Sequence, residues 1–267
     1  MFIHNIDPVL FRIFGLEVRY YGLVYAFYFI ASNLLLVHLA KNNKIKNFDE
    51  KKADILVLLL VITGVAGARI FYFIVAEPSI FITDPLELFK LWHGGMSFYG
   101  GFLGILIAGY FYCKKYEINL LEILDALFFL APLALALGRL ANFANSELWG
   151  KVTDVSWCVK FPSVEGCRHP YQIYASISHF ITFGILLFFW NNREKKGYRA
   201  GTIFYHFLWL YGGFRFLTDF YRDDAPLLFG LSLGQYVSLL MFLIGIILLN
   251  KDKLRDTFIK KHSHKSS

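Results

Sequence analysis

Residues 138–150 read GRLANFANSELWG and set Arg139, Asn142, Asn145 and Glu147 at the end of a long apolar stretch. A second group follows in YGGFRFLTDFYR (211–222), where Arg215, Asp219 and Arg222 stand at i, i+4 and i+7. On a helix that spacing puts all three on one face and lets Asp219 pair with either arginine. Arg139, Asn142 and Asn145 step by three along another face. A guanidinium is always charged, planar and able to donate two parallel hydrogen bonds, which is the geometry a phosphate accepts. Arginines flanked by amides and carboxylates therefore read as an anion site, built where polar groups are costly to place.

The 267 residues are 57% hydrophobic and 19% aromatic, with 29 phenylalanines, and mean hydropathy is +0.49. A soluble domain of this length has no core large enough to hide so much apolar surface. The length fits one membrane-embedded unit, residues 1–267 as a single domain. Seven stretches are long and apolar enough to cross a hydrocarbon core of about 30 Å: 20–39, 55–76, 95–112, 120–139, 172–190, 201–219 and 234–250. Backbone amides in lipid must be satisfied within the segment, so each is predicted as a helix. The expected fold is an all-α integral membrane protein with seven transmembrane helices. The fourth span is the least regular, with Glu122 and Asp125 near its start and Pro132 inside it.

The net charge of +7 does not describe a nucleic-acid surface. Of 27 lysines and arginines, 17 fall in the connections after the first, third and fifth spans and in the C-terminal tail. That pattern writes membrane topology, with the N-terminus outside and the C-terminus cytoplasmic. The opening MFIHNIDPVLFRIF lacks a basic n-region and a small-residue cleavage site, so no removable signal peptide is expected.

With this orientation, polar residues of six spans fall at one depth, the outer half of the membrane. They are Arg19 and Tyr21, Arg69, His93 and Tyr99 in WHGGMSFYGG (92–101), the Arg139 group, RHPYQIY (168–174), and the Arg215 group. Intramembrane ionisable residues usually face the bundle interior and mark a site. Simpler roles compete for some of them. Arg19 and Arg222 fit snorkelling side chains at the interface, Arg69 fits a structural ion pair, and tyrosines and tryptophans near span ends fit belt anchors. His38, His179 and His206 read as satisfied helix-facing histidines, and no pair has metal-ligand spacing. Cys158 and Cys167 share an outer loop, where an oxidising side permits a disulfide.

GRLANFANSELWG resembles the G-R-x-x-N-F-x-N-x-E-x-x-G signature of the bacterial prolipoprotein diacylglyceryl transferases, matched by Gly138, Arg139, Asn142, Phe143, Asn145, Glu147 and Gly150. RYYGLVY (19–25) is similar to that family's first-span opening, with Tyr21 at its tyrosine. GGMSFYGGFLG (94–104) is similar to the third-span motif, RHPYQIY to R-H-P-x-Q-x-Y, and YGGFRFLTDFYR to a late Y-G-x-x-R-x-x-x-E-x-x-R segment. The resemblance extends over nearly the whole chain. It implies transfer of the diacylglyceryl group of phosphatidylglycerol to the lipobox cysteine of a prolipoprotein signal peptide, with release of glycerol 1-phosphate. It also implies the bacterial inner membrane, an active site toward the outer leaflet, and neither cofactor nor metal. In that scheme Arg139, Arg215, Tyr99 and Glu147 form the catalytic set. Arg139 holds the lipid phosphate, Asn142 and Asn145 shape its pocket, and Tyr211 and Asp219 line the other wall with Arg215. Tyr21, Arg69 and His93 complete the substrate contacts.

Three positions depart from the family pattern. Tyr99 stands where some members carry histidine, Asp219 where glutamate is usual, and Ala175 where relatives often have an acid. A tyrosine of pKa near 10 is a poor base at neutral pH, so thiolate formation falls to the arginine field rather than to a dedicated base. The alternative is an anion or lipid transporter using the same arginine-lined outer cavity. It calls for polar residues continuing into the cytoplasmic half and for inverted repeats, and the inner halves of spans two, three and seven are nearly all Leu, Ile, Val and Phe. A seven-helix receptor would not need the arginine cluster at all.

Overall fold

The computed structural model describes residues 1–13 and 16–263; the end of the basic tail, Lys265 included, lies outside the described residues. Every expected span is a helix. The helices are α1 (Tyr20–Lys41), α2 (Glu50–Ala76), the single turn α3 (Ile80–Thr83), α4 (Phe98–Lys115), α5 (Leu120–Ala144), α6 (Tyr171–Lys196), α7 (Thr202–Thr218) and α8 (Leu233–Ser263). Among them α1, α2, α5, α6 and the part of α8 up to Lys251 are long and apolar enough to cross a membrane. The other two expected spans, α4 and α7, have 18 and 17 residues, roughly 25–27 Å at the helical rise.

Local chemistry explains where the boundaries moved. α2 starts five residues early because Asp49 caps it, accepting from the Lys52 amide at 2.8 Å. α4 starts at Phe98 rather than 95, because Gly94 and Gly95 sit at φ 81° and 76°, outside helical space, and Ser97 then caps the helix. α5 carries Pro132 internally and runs on through Arg139 and Asn142 to Ala144. α6 ends on Gly197 in the left-handed conformation.

The wholly helical expectation needs one correction: the protein is mostly helical, with two small sheets among the described residues. Strand β1 (Phe2–Ile3) pairs in parallel with β4 (Val159–Lys160), and β2 (Val9–Ile13) pairs antiparallel with β3 (Leu16–Arg19). Strands of two to five residues leave too little alternation to stand out in so apolar a sequence.

The chain divides into two compact units, Met1–Tyr28 with Leu124–Ser267, and Phe29–Ile123. In the first, α7 packs against both α6 and α8. Asp125 of α5 also accepts from the Gly201 and Phe204 amides at 2.8 Å each, so a carboxylate from one helix caps the start of another. In the second, α2 packs along α4 at backbone distance. A Cβ on Gly67 would fall 2.5 Å from the Gly100 carbonyl, and one on Gly104 would fall 2.3 Å from that of Thr63. Small residues at such a crossing let apolar helices gain close van der Waals contact where lipid supplies no hydrophobic drive.

Gly104→Val should therefore destabilise the purified protein by about 1–3 kcal/mol through overpacking. Gly184→Ala on α6, where an added Cβ meets nothing within 4 Å, should leave stability unchanged or raise it by up to about 1 kcal/mol. Thermal unfolding in detergent checks both, and equal midpoints for the two variants would mean that the α2–α4 contact is looser than described.

Candidate active site

The end of α5 explains the spacing of its polar residues. Ser146 adopts φ 58°, its amide donates to the Phe143 carbonyl at 3.0 Å, and the Glu147 amide donates back to Asn142 at 3.1 Å. This is a Schellman closure of the helix, and it folds Glu147 over the last turn. There Glu147 Oε1 accepts from Asn142 Nδ2 at 3.2 Å and from Asn145 Nδ2 at 3.0 Å. The Glu147 carboxylate and the Arg139 guanidinium both bear electrostatically on the Tyr21 hydroxyl. Gln172, fully buried, donates to the Glu147 carbonyl at 2.7 Å. The turn closes at Gly150, where a Cβ would lie 2.6 Å from the His169 carbonyl and 2.7 Å from that of Tyr221; only a glycine lets those three backbones meet.

α6 and α7 supply the facing groups. Tyr171 is fully buried, and its hydroxyl donates to Asp219 Oδ1 at 2.5 Å. Arg215 Nε lies 3.4 Å from Asp219 Oδ2, and Arg215 Nη1 donates to the Tyr211 hydroxyl at 2.7 Å. The Tyr171 ring takes the Arg139 guanidinium at 5.6 Å and that of Arg222 at 5.7 Å. The expected single face for Arg215, Asp219 and Arg222 is only half right. α7 ends at Thr218, a 3₁₀ turn covers Asp219–Tyr221, and Arg222 is extended and pairs with Asp224 at 3.2 Å. Asp219 thus pairs with Arg215.

Arg139 differs from Arg69 and Arg215 in how little its guanidinium is bonded. Among the described residues its hydrogen bonding comes to one long contact, Nη1 to Asn142 Oδ1 at 3.5 Å. A half-buried guanidinium therefore points most of its donors at nothing the fold supplies.

Arg69, His93 and Tyr99 belong to the second unit. Arg69 is buried and spends every donor on the loop between α3 and α4. Nε donates to the Leu88 carbonyl at 3.3 Å, Nη1 to those of Gly94 and Gly95, and Nη2 to Glu87 at 2.7 Å and Lys90 at 2.9 Å. Glu87 collects Arg69 at 3.5 Å, Lys90 at 3.0 Å and His93 Nδ1 at 2.6 Å. The His93 ring beside it, and then the Lys90 ammonium, hold its carboxyl below the usual carboxylate range. Tyr99 opens α4 and is 58% exposed.

Two residues escaped the sequence reading. Tyr171 lay inside a quoted motif, yet a tyrosine at a span end reads first as a belt anchor. His179 was expected to be satisfied, as His206 is by the Thr202 carbonyl at 2.8 Å. Instead both of its ring nitrogens are buried without a partner. Arg19 pairs with Glu17 on an exposed hairpin, and Cys158 and Cys167 form a disulfide.

A family model described as prolipoprotein diacylglyceryl transferase matches residues 8–250. The chain is similar to the phosphatidylglycerol–prolipoprotein diacylglyceryl transferase of Geobacter sulfurreducens, with 39% identity over 249 residues, 91% of this chain and 94% of the relative. The Vibrio cholerae protein of the same name is 40% identical over 251 residues, 92% and 91% of the two chains. That of Polynucleobacter necessarius is 36% identical over 261 residues, 95% and 98%.

Arg69→Lys keeps the charge but loses the five-donor fork, so amide exchange over residues 85–95 should accelerate at least tenfold. Acid should lower the protection of the same segment, measured against the slower intrinsic exchange at each pH. Because the Glu87 carboxyl is depressed, its contribution is complete above the ordinary carboxyl pKa and is lost as pH falls through the lower folded value. Hydrogen exchange read by mass spectrometry checks both effects, and unchanged protection in the variant would remove Arg69 as the loop's anchor.

Proposed function

The chain belongs to the prolipoprotein diacylglyceryl transferase family, and from that premise we propose how its own residues carry out the transfer. It moves the diacylglyceryl group of phosphatidylglycerol to the lipobox cysteine of a prolipoprotein signal peptide. Seven helices, α4 and α7 included, cross a bacterial inner membrane with the N-terminus outside. Residues 1–267 act as one catalytic domain whose active site opens toward the outer leaflet. The loop distribution of lysine and arginine supports that orientation, and family membership favours the transferase over the anion transporter.

The observation that carries the reading is the uncommitted Arg139 guanidinium beside the ordered Asn142–Asn145–Glu147 turn. A phosphodiester supplies what that group lacks: negative charge and two oxygens at the spacing of its N–H fork. Arg215, half neutralised by Asp219, closes the other side. The cysteine thiolate attacks the glycerol carbon that bears the phosphate ester, a C–S bond forms as the C–O bond breaks, and glycerol 1-phosphate departs. Charge grows on the leaving phosphate as that bond breaks, so preorganised guanidiniums bind the transition state more tightly than the lipid itself. The same cationic field draws the incoming thiol, with a free pKa near 8.5, toward its thiolate. Asn142, Asn145 and Glu147 fix the turn, and Tyr21 and Tyr211 present hydroxyls along its walls. Tyr99 offers a hydroxyl, and Arg69 and His93 shape the loop that leads into α4.

Lipidation of a lipobox peptide by purified enzyme with phosphatidylglycerol tests this. Arg139→Ala should lower the rate by about 10²–10³-fold, with Arg139→Lys intermediate because it keeps the charge but not the fork. Tyr99→Phe should cost less than about tenfold if the arginine field makes the thiolate. Wild-type rates from a folded Arg139→Ala protein would sink the assignment.

A further inference from the structure

The mechanism above leaves a buried histidine unused. His179 lies on α6 with 1% of its surface exposed, and neither ring nitrogen has a partner. Other histidines of this unit are satisfied: His4 Nε2 lies 2.7 Å from the Phe143 carbonyl and His206 Nδ1 lies 2.8 Å from that of Thr202. Buried polar groups are paired in the great majority of cases, and an exception points to a missing partner. The guanidiniums of Arg139 and Arg215 both bear electrostatically on His179. As neutral imidazole the ring has one N–H to donate and one lone pair.

Its position narrows what that partner is. The ring stacks on Tyr211, with centroids 5.3 Å apart and planes 24° from parallel. Tyr211 lies four residues along α7 from Arg215, one turn or about 6 Å farther into the helix, and its hydroxyl accepts from Arg215. His179 thus stands against the residue one turn farther into α7 than Arg215. A glycerophospholipid carries its two ester carbonyls directly below the phosphate, before the hydrocarbon begins. Those carbonyls accept hydrogen bonds and have none of their own to give.

We propose that His179 donates its ring N–H to an ester carbonyl of the diacylglyceryl group, making it a specificity residue that selects ester-linked over ether-linked glycerolipids. The proposal rests on the reading that Arg139 and Arg215 hold the lipid phosphate. A site built to pair with a substrate polar group discriminates against the analogue that lacks it, because its own buried group is then left unpaired.

The experiment compares diacyl with dialkyl phosphatidylglycerol as donors to a lipobox peptide, using the full-length purified enzyme. Wild type should favour the diacyl lipid by about tenfold. His179→Phe should bring that ratio close to one by losing rate on the diacyl lipid alone, and His179→Gln, which keeps a donor, should restore part of it. A variant with a merely structural defect would lose rate on both lipids and keep the ratio. Equal wild-type rates on the two lipids overturn the proposal whether or not either variant folds. So does an undiminished ratio in His179→Phe, which would assign the ring to a buried water. Folded wild type that makes no product from either lipid overturns the transfer reading, and this proposal with it.

Discussion

A carboxylate taken out of water must find partners at once, and in the larger unit Asp219 finds them on two helices. Its side chain has no exposed surface, and it accepts from the Tyr171 hydroxyl of α6 while Arg215 approaches from α7. The start of α8 is close enough that a Cβ on Gly234 would sit 3.0 Å from Asp219 Oδ2. Removing one partner of such a buried pair leaves an uncompensated charge, which costs far more than the pair itself contributes. The placement of α6, α7 and the first turn of α8 is therefore tied to a single carboxylate.

Within each unit the arginines sort by what they spend their donors on. Arg69 gives all five to carbonyls of one loop. Arg168 spends its donors on the carbonyls of Glu165 and Gly150 and on the Asp223 carboxylate, and Arg222 pairs with Asp224. Arg69 and Arg168 are structural cations, matched by the fold itself, and Arg222 is matched through its Nε by one carboxylate. Arg215 is intermediate, matched by Asp219 and Tyr211, and Arg139 has almost nothing. A preorganised catalytic cation has to look like Arg139, held by its neighbours' packing and left electrically unmatched until an anion arrives. Burial alone would have ranked Arg69 first. The count of satisfied donors reverses that order.

The sequence made the helices legible because an apolar run of about 20 residues has few other uses, and it made the motif on α5 legible because four polar residues there are expensive. It hid what depends on a single φ angle or a single short turn. Nothing in NSELWG announces that Ser146 takes a left-handed conformation and swings Glu147 back onto Asn142. The 3₁₀ turn after Thr218, which moves Arg222 off the expected face, begins at a residue equally at home in an α-helix. Tyr171 and His179 stay hidden for one reason: a tyrosine at a span end or a histidine on a helix has a common explanation, and only its contacts in the fold show that the explanation fails.

The polar loop between α5 and α6 shows why such turns can carry chemistry without drifting. Its two ends deliver Glu147 and Tyr171, so any slack in the loop would reach both. The loop is braced from several directions. The disulfide joins Cys158 to Cys167, β1 pairs with β4, and the Met1 ammonium donates to the Ser156 carbonyl. The Gly150 amide donates to the His169 carbonyl, and the Lys151 amide reaches that of Tyr221. Each bond is worth little alone. Because they join the N-terminus, the loop and the segment after α7, none can open without straining the others. The chain thereby holds the Glu147 turn at the end of α5 and Tyr171 at the start of α6 in register, which neither helix by itself could fix.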